Sequence, residues 1–246
     1  MRSPGRVALV TGANKGIGKA TARALARRGV TVLLGSRSLG RGEEAARELA
    51  WEGLPVTALQ LDVTDPAGVE AAAERVRNEH GRLDVLVNNA GLFVGSAAVE
   101  TTPDRMRDMF DVNVFGVVTV THASLPLLRR SPAPRIVNVS STTASLTLTG
   151  DGAELPGNAD RRFAYTSSKA ALNMLTLQYA RAFAHDPGLA HLKINSASPG
   201  YTATGMNDFQ APRSAEEGAR VIVDLATLPD DGPTGGFFDD QGPVAW

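Results

Sequence analysis

Short β-branched runs alternate with helical stretches along nearly all of the 246 residues, and few architectures accommodate that order. Residues 6–10 (RVALV), 31–34 (TVLL), 55–61 (PVTALQL), 83–87 (LDVLV), 135–139 (RIVNV) and 192–196 (LKINS) have the length and β-branched content of buried strands. Helical spacing of apolar residues follows most of them: from about Ile17 to a stop at Gly29, over 41–51, from Pro66 to about Glu79 behind an Asp65 cap, over 104–128, over 163–184, and from a Ser214 cap to about Leu228. Pro103 suits the start of the fourth helix, and Pro126 should end or kink it. Residues 236–238 can add a last short strand. Apolar strands that each lead into a helix predict an α/β fold, a doubly wound parallel sheet of about seven strands with helices on both faces.

A chain of this length can form one large α/β domain or two small ones. No linker and no repeat divides it, so residues 1–246 read as a single domain. The irregular exception is 142–162, which reads either as a surface insertion or as part of a functional site. The 25 basic and 26 acidic side chains leave a net charge of −1, which provides no field for nucleic acid or an anionic membrane. The absence of cysteine removes disulfides, thiolate catalysis and Cys-ligated metals. His80, His122, His185 and His191 lack metal-ligand spacing, so no metal site is expected. Residues 1–5 enter the first strand without an apolar leader, and no apolar run reaches membrane-spanning length, which points to a cytoplasmic protein.

The chemistry begins at Thr11-Gly12-Ala13-Asn14-Lys15-Gly16-Ile17-Gly18, between the first strand and its helix. Glycines there let the backbone turn tightly against a pyrophosphate, and the helix N-terminus offers N–H groups and partial positive charge to the anion. The same turn without a ligand would be a plain strand–helix connection. An NAD site usually carries a carboxylate at the end of the second strand for the adenosine ribose. This chain has Gly35-Ser36-Arg37-Ser38 there, with Arg41 four residues after Arg37. A guanidinium binds a phosphate dianion, whereas a carboxylate repels it, so Arg37 and Arg41, with Lys15, point to NADP(H). The other reading is that they are solvated surface charges.

Tyr165 and Lys169 lie four apart in an expected helix and so share a face. A nearby ammonium would stabilise the phenolate and pull the tyrosine toward neutral pH, fitting it for acid–base work. With the glycine loop, Asn88-Asn89-Ala90-Gly91, Asn113, Ser140-Ser141, Tyr165-x3-Lys169 and Pro199-Gly200 in this order, nearly the whole chain resembles the short-chain dehydrogenase/reductase family, whose domain is a Rossmann fold. The resemblance implies Tyr165 as general acid/base, Ser141 as the hydrogen bond to the substrate oxygen, Lys169 on the nicotinamide ribose and Asn113 holding a water in a proton relay. It also places Asn14, Ile17, Asp62, Val63, Asn89, Ala90, Gly91, Pro199, Gly200 and Thr202 around the cofactor. Asn88 and Pro199-Gly200 also have purely structural readings as a strand tie and a turn.

Ser141 and Tyr165 are 24 positions apart, more than is usual in the family, and the surplus falls in 142–162. That insertion, with Asn14-Lys15, Arg37 and Arg41, resembles the carbonyl-reductase branch, in which a longer insertion covers the dimerising helix face. A monomer is favoured on that basis, with a homodimer as the alternative. Leu92, Phe93, Val94, Thr143, Tyr201, Met206 and Phe209 are expected to line an apolar pocket, unless they are ordinary core. The expectation is reduction of a small hydrophobic ketone or aldehyde with NADPH. The alternatives are a 3-oxoacyl-carrier-protein reductase or steroid or polyol dehydrogenase, and a silent NADP(H)-binding regulator. A carrier protein would need a basic patch, for which Arg129-Arg130 and Arg161-Arg162 are candidates.

Overall fold

A computed structural model describes residues 5–246. Residues 1–4, read above for a leader, lie outside that range. The strands are β1 (Val7–Val10), β2 (Thr31–Ser36), β3 (Val56–Gln60), β4 (Val85–Asn88), β5 (Arg135–Val139), β6 (Lys193–Ala197), β7 (Phe237–Asp239) and β8 (Gly242–Pro243). They form one sheet in the order β3-β2-β1-β4-β5-β6-β7-β8, parallel throughout except for β8, which turns back against β7. The sheet therefore has one strand more than the sequence predicts. A two-residue strand offers no periodicity to read.

Alternate strand residues serve opposite layers. Ala8 and Val10 join one core cluster with Leu25 of α1 (Gly16–Arg27), Leu49 of α2 (Leu39–Trp51) and Ile222 of α8 (Ala215–Ala226). Val7 and Leu9 join the other with Val76 of α3 (Pro66–His80), Leu127 of α5 (Gly116–Leu128) and Phe183 of α7 (Phe163–Ala184). Truncating a fully buried leucine such as Leu34 or Leu86 to alanine should cost about 2–5 kcal/mol.

From β1 the chain crosses to β2 on one side, and β4 lies on the other. This reversal opens a crevice at the carboxyl ends of the strands, where such sheets bind ligands. The glycine loop, Ser36-Arg37, Asp62, Asn89, Ser141 and Pro199 all sit at that end.

The expected helix over 104–128 is α4 (Pro103–Phe110), a π-helical turn at Asp111–Phe115, and α5. Gly116 makes the turn possible: a Cβ there would lie 2.7 Å from the Val63 side chain and 3.1 Å from Asp111 O. Pro126 does not stop the helix, which continues through Leu127 and Leu128. Both are completely buried and pull the last turn inward, while the carbonyl left unpaired belongs to solvent-facing His122. By length and composition Pro103–Leu128 could cross a membrane, but 56% of its most apolar 18-residue window is buried inside the fold. Asp65 occupies the α3 cap position without a side-chain cap bond, whereas Ser214 and Glu217 form a reciprocal capping box on α8.

The 142–162 segment is not structureless. It holds single 3₁₀ turns at Thr142–Ala144 and Ala159–Arg161 and the short helix α6 (Leu146–Gly150). Ser96 pairs with Arg162 in an isolated bridge, and Thr147 N donates to Trp246 O at 2.9 Å. The segment is thus pinned to the loop after β4 and to the last residue of the chain.

Candidate active site

The glycine loop has the conformation that its residues require. Gly12 has φ +61°, and a Cβ on it would lie 2.9 Å from Ala90 Cα. Gly18 allows α1 to approach β4 so closely that a Cβ would meet Asn89 Nδ2 at 2.4 Å. Asn89 holds the loop from beneath: Nδ2 donates to Thr11 O at 2.8 Å and to Gly12 O at 3.2 Å. Thr11 Oγ1 accepts from Asn89 N and Ala90 N, both at 2.9 Å. Asn14 is half-buried beside the exposed Lys15 at the start of α1.

The cations along α1 differ from those at the cofactor end. Lys19, Arg23, Arg27 and Arg28 are all paired with carboxylates of α2 or α8, or next to α2. Lys15, Arg37 and Arg41 are exposed and have no acidic partner among the described residues. Three uncompensated charges around a backbone cradle suit an anion with more than one phosphate. Asp62 accepts from Thr64 N and Thr64 Oγ1 through Oδ1, at 3.0 and 2.7 Å. Val63 is buried against the π turn, which leaves its backbone rather than its side chain for a ligand.

On the far side of the crevice, α7 brings up Tyr165 and Lys169. A buried polar ladder fixes that helix to the sheet. Asn88 Nδ2 donates to Asn138 Oδ1, Asn138 Nδ2 to Thr176 Oγ1, and Ser196 Oγ to Thr176 Oγ1, each at 2.9 Å. Asn88 also donates to Thr121 Oγ1 at 3.2 Å, so its structural reading describes its contacts. Sequence reasoning passed over Asn138, Thr176 and Ser196. Their signal was polar residues inside otherwise apolar strands and a helix.

Lys169 is buried, and its Nζ donates to Val139 O at 2.8 Å. The ammonium lies 5.7 Å from the centre of the Tyr165 ring. Burial pulls Lys169 down to about 8 and pushes Tyr165 up to about 12. This reverses the expected shift of the tyrosine, because loss of water around the phenol outweighs an ammonium that is bonded elsewhere. Tyr165 therefore stays protonated throughout the neutral range, the state of an acid ready to donate.

Asn113 sits in the π turn and is fully buried. Its Oδ1 accepts from Leu92 N at 2.8 Å, and its Nδ2 donates to Leu92 O at 3.0 Å and Ser168 Oγ at 2.9 Å. Both amide hydrogens are engaged, so the side chain fixes the backbone around the site. Ser168 in turn donates to Tyr165 O at 2.7 Å and joins the π turn to α7. The adjacent serines part company. Ser140 is buried beneath Lys169 O at 3.5 Å, whereas Ser141 opens onto the cleft and lies 2.9 Å from Thr143 Oγ1.

The cleft has a volume of about 490 Å³, within the usual range for a small-molecule site. Ile17, Phe93, Ser141, Thr143, Tyr165, Pro199, Gly200, Tyr201, Thr202 and Met206 all line it. Leu92, Val94 and Phe209 do not: Val94 and Phe209 point to solvent, 44% and 71% exposed, and the Leu92 backbone holds Asn113. The expected apolar wall is also more polar than the sequence indicates. Asn158, Arg161 and Arg162 from the insertion, and Asn207, Asp208 and Gln210 from the loop after β6, complete the lining. That loop closes toward the glycine loop, with a Cβ on Gly16 only 3.4 Å from Thr204. Thr202 turns its hydroxyl inward to Pro199 O at 3.0 Å.

The two arginine pairs considered for a carrier protein do not converge. Arg129 follows α5 near the opposite end of the sheet and pairs with Asp186, while Arg161 and Arg162 border the cleft. No group of three or more potential metal ligands occurs among the described residues.

The family model described as short chain dehydrogenase matches residues 6–217. (−)-Isopiperitenone reductase of Mentha piperita is 35% identical, with 98% of each chain covered. Carbonyl reductase (NADPH) 1 of Bos taurus is 35% identical, with 100% of each covered. Among solved structures, salutaridine reductase from Papaver somniferum superposes with a TM-score of 0.81 at 32% identity, covering 96% of this chain and 99% of that one. A gluconate 5-dehydrogenase from Burkholderia cenocepacia J2315 in complex with NADP and tartrate reaches the same score at 26% identity, covering 97% and 94%. Likeness of this extent, in sequence and in three dimensions, makes the chain a member of the short-chain dehydrogenase family.

Proposed function

We propose that the protein is an NADPH-dependent reductase that converts the carbonyl of a hydrophobic ketone or aldehyde to an alcohol. One observation carries this reading: Ser141 and Tyr165 face the same cleft as Ile17, which belongs to the glycine loop, so proton donor and cofactor cradle share one cavity. The residues fit the cofactor. Gly12 and Gly18 leave no room for a Cβ in the loop, and Lys15, Arg37 and Arg41 are exposed without acidic partners among the described residues, open to the pyrophosphate and a ribose phosphate. The relatives named as NADPH carbonyl reductase and terpenoid or alkaloid reductases support the same choice.

Bound NADPH supplies the hydride. The chain supplies the rest. Ser141 Oγ donates to the substrate carbonyl oxygen and polarises it. Tyr165 Oη then gives its proton to that oxygen as negative charge develops. Lys169, titrating near 8, restores the proton by exchange with solvent. Asn113 and Ser168 hold the backbone on either side of Tyr165 in place.

The test is loss of NADPH absorbance with a panel containing an aromatic ketone, a quinone, a β-keto ester and an acyl thioester. Turnover of the first three supports the reading. Turnover of the thioester alone favours a carrier-protein reductase. No turnover with tight NADPH binding favours a silent cofactor-binding protein.

A further inference from the structure

The insertion gives the cleft a charge that the proposed activity does not use. Arg161 and Arg162 line the cavity at the end of 142–162, and neither is paired with a carboxylate among the described residues. Both guanidiniums are held by backbone instead. Arg161 Nη2 donates to Gly95 O at 3.2 Å, and Arg162 Nη1 donates to Leu155 O and Pro156 O at 3.2 and 3.1 Å. Carbonyl bonds orient a guanidinium without neutralising it, so the full charge remains available to a ligand. Among the described residues, the one acidic side chain on the cleft wall is the exposed Asp208, on the loop after β6.

The position of Arg161 relative to the proton donor is specific. The Phe93 ring packs edge-on against Tyr165, centroids 5.3 Å apart. A Cβ on Gly95 would lie 3.5 Å from Phe93 Cζ and 3.3 Å from Arg161 Nε. Phe93 thus touches Tyr165 on one side and, across Gly95, neighbours the exposed Arg161 at the rim of the cleft.

We infer that Arg161, supported by the charge of Arg162, selects substrates in which an apolar spacer about one ring long separates the carbonyl from a carboxylate. This rests on the reductase reading and narrows it: the carbonyl lies at Ser141 and Tyr165, the spacer lies along Phe93, and the carboxylate reaches Arg161. Arg162 anchors the turn at Leu155-Pro156 and adds field.

The experiment compares kcat/KM for 4-acetylbenzoate and its methyl ester, with NADPH, in the wild type, Arg161→Gln and Arg161→Lys. The acid-to-ester ratio within each protein is the quantity read, so a general loss of activity cancels. A charge-assisted pair predicts a wild-type ratio of about ten or more, falling to about one in Arg161→Gln and partly restored in Arg161→Lys. A wild-type ratio of one or less, or a ratio unchanged in Arg161→Gln, overturns the inference while ester turnover upholds the reductase reading. If neither ketone turns over, calorimetric binding of 4-acetylbenzoate to the protein with NADP⁺ decides. Binding that weakens in Arg161→Gln supports the anion site although the reductase reading has failed, and absent or unaltered binding overturns both.

Discussion

Lys169 donates from Nζ to the carbonyl oxygen of Val139 at 2.8 Å, at the end of the strand that leads into Ser141. The bond holds a buried ammonium beside the Tyr165 ring without joining the two. Burial, not this bond, sets the pH behaviour of the pair. Lys169 titrates near 8, and Tyr165 keeps its proton to about 12.

Ketone reduction should therefore run at a flat rate through neutral pH. It should decline above about 8, as the lysine that restores the tyrosine's proton becomes neutral. Alcohol oxidation, which needs the phenolate, should climb with pH over the same range. Initial rates in both directions between pH 6 and 10 check the contrast, and parallel profiles would contradict it.

Replacing Lys169 by methionine should abolish efficient turnover and yet stabilise the fold at neutral pH. Its folded value of about 8 lies below the ordinary 10.5, so the unfolded chain binds more protons between those limits. Stability from this residue therefore rises with pH, and at pH 7 its buried charge costs about 3 kcal/mol. The lost bond to Val139 returns about 1 kcal/mol. The net expectation is a melting temperature a few degrees higher at pH 7, with the gain shrinking toward pH 10.

Arg37 and Arg41 are exposed and unpaired at the end of β2 and the start of α2. Removing both should raise KM for NADPH roughly ten- to a hundredfold, the scale of one or two charge-assisted bonds, and change KM for NADH little. Arg37→Asp should go further and favour NADH. Steady-state kinetics with each cofactor measures both effects.

Gly12→Ala places a Cβ 2.9 Å from Ala90 Cα at a φ of +61°. No side chain can swing aside there, because the obstacle is backbone. The variant should lose about 1–3 kcal/mol in denaturant unfolding and bind NADPH weakly.

Much of this organisation is legible in the sequence, for identifiable reasons. Strands buried on both faces, such as Ala8–Val10 and Val85–Val87, read as continuous apolar runs, and the glycine spacing marks the turn that follows the first of them. Tyr165 and Lys169 share a helix face by spacing alone. What escapes the sequence depends on contacts made at a distance. The π turn at Asp111–Phe115 ends at Gly116, where a Cβ would meet Val63 at 2.7 Å, and a helical window shows no such partner. Pro126 fails to end α5 because Leu127 and Leu128 are drawn into the core. Val94 and Phe209 look like pocket residues by type, but their side chains face solvent while their loop neighbours Phe93 and Asp208 line the cleft. Arg161 and Arg162 enter the cleft only because the insertion is pinned through Ser96. The tyrosine's upward shift follows from burial, which spacing does not reveal.

The central claim is that Tyr165 donates the proton in an NADPH-dependent carbonyl reduction. Its most direct test is single-turnover oxidation of NADPH by an aromatic ketone in the wild type and in Tyr165→Phe, with NADPH affinity measured in parallel by fluorescence. Rapid oxidation is expected in the wild type, with a loss of about a thousandfold or more in the variant and cofactor affinities within about threefold of each other. Near-equal oxidation rates in the two proteins would contradict it.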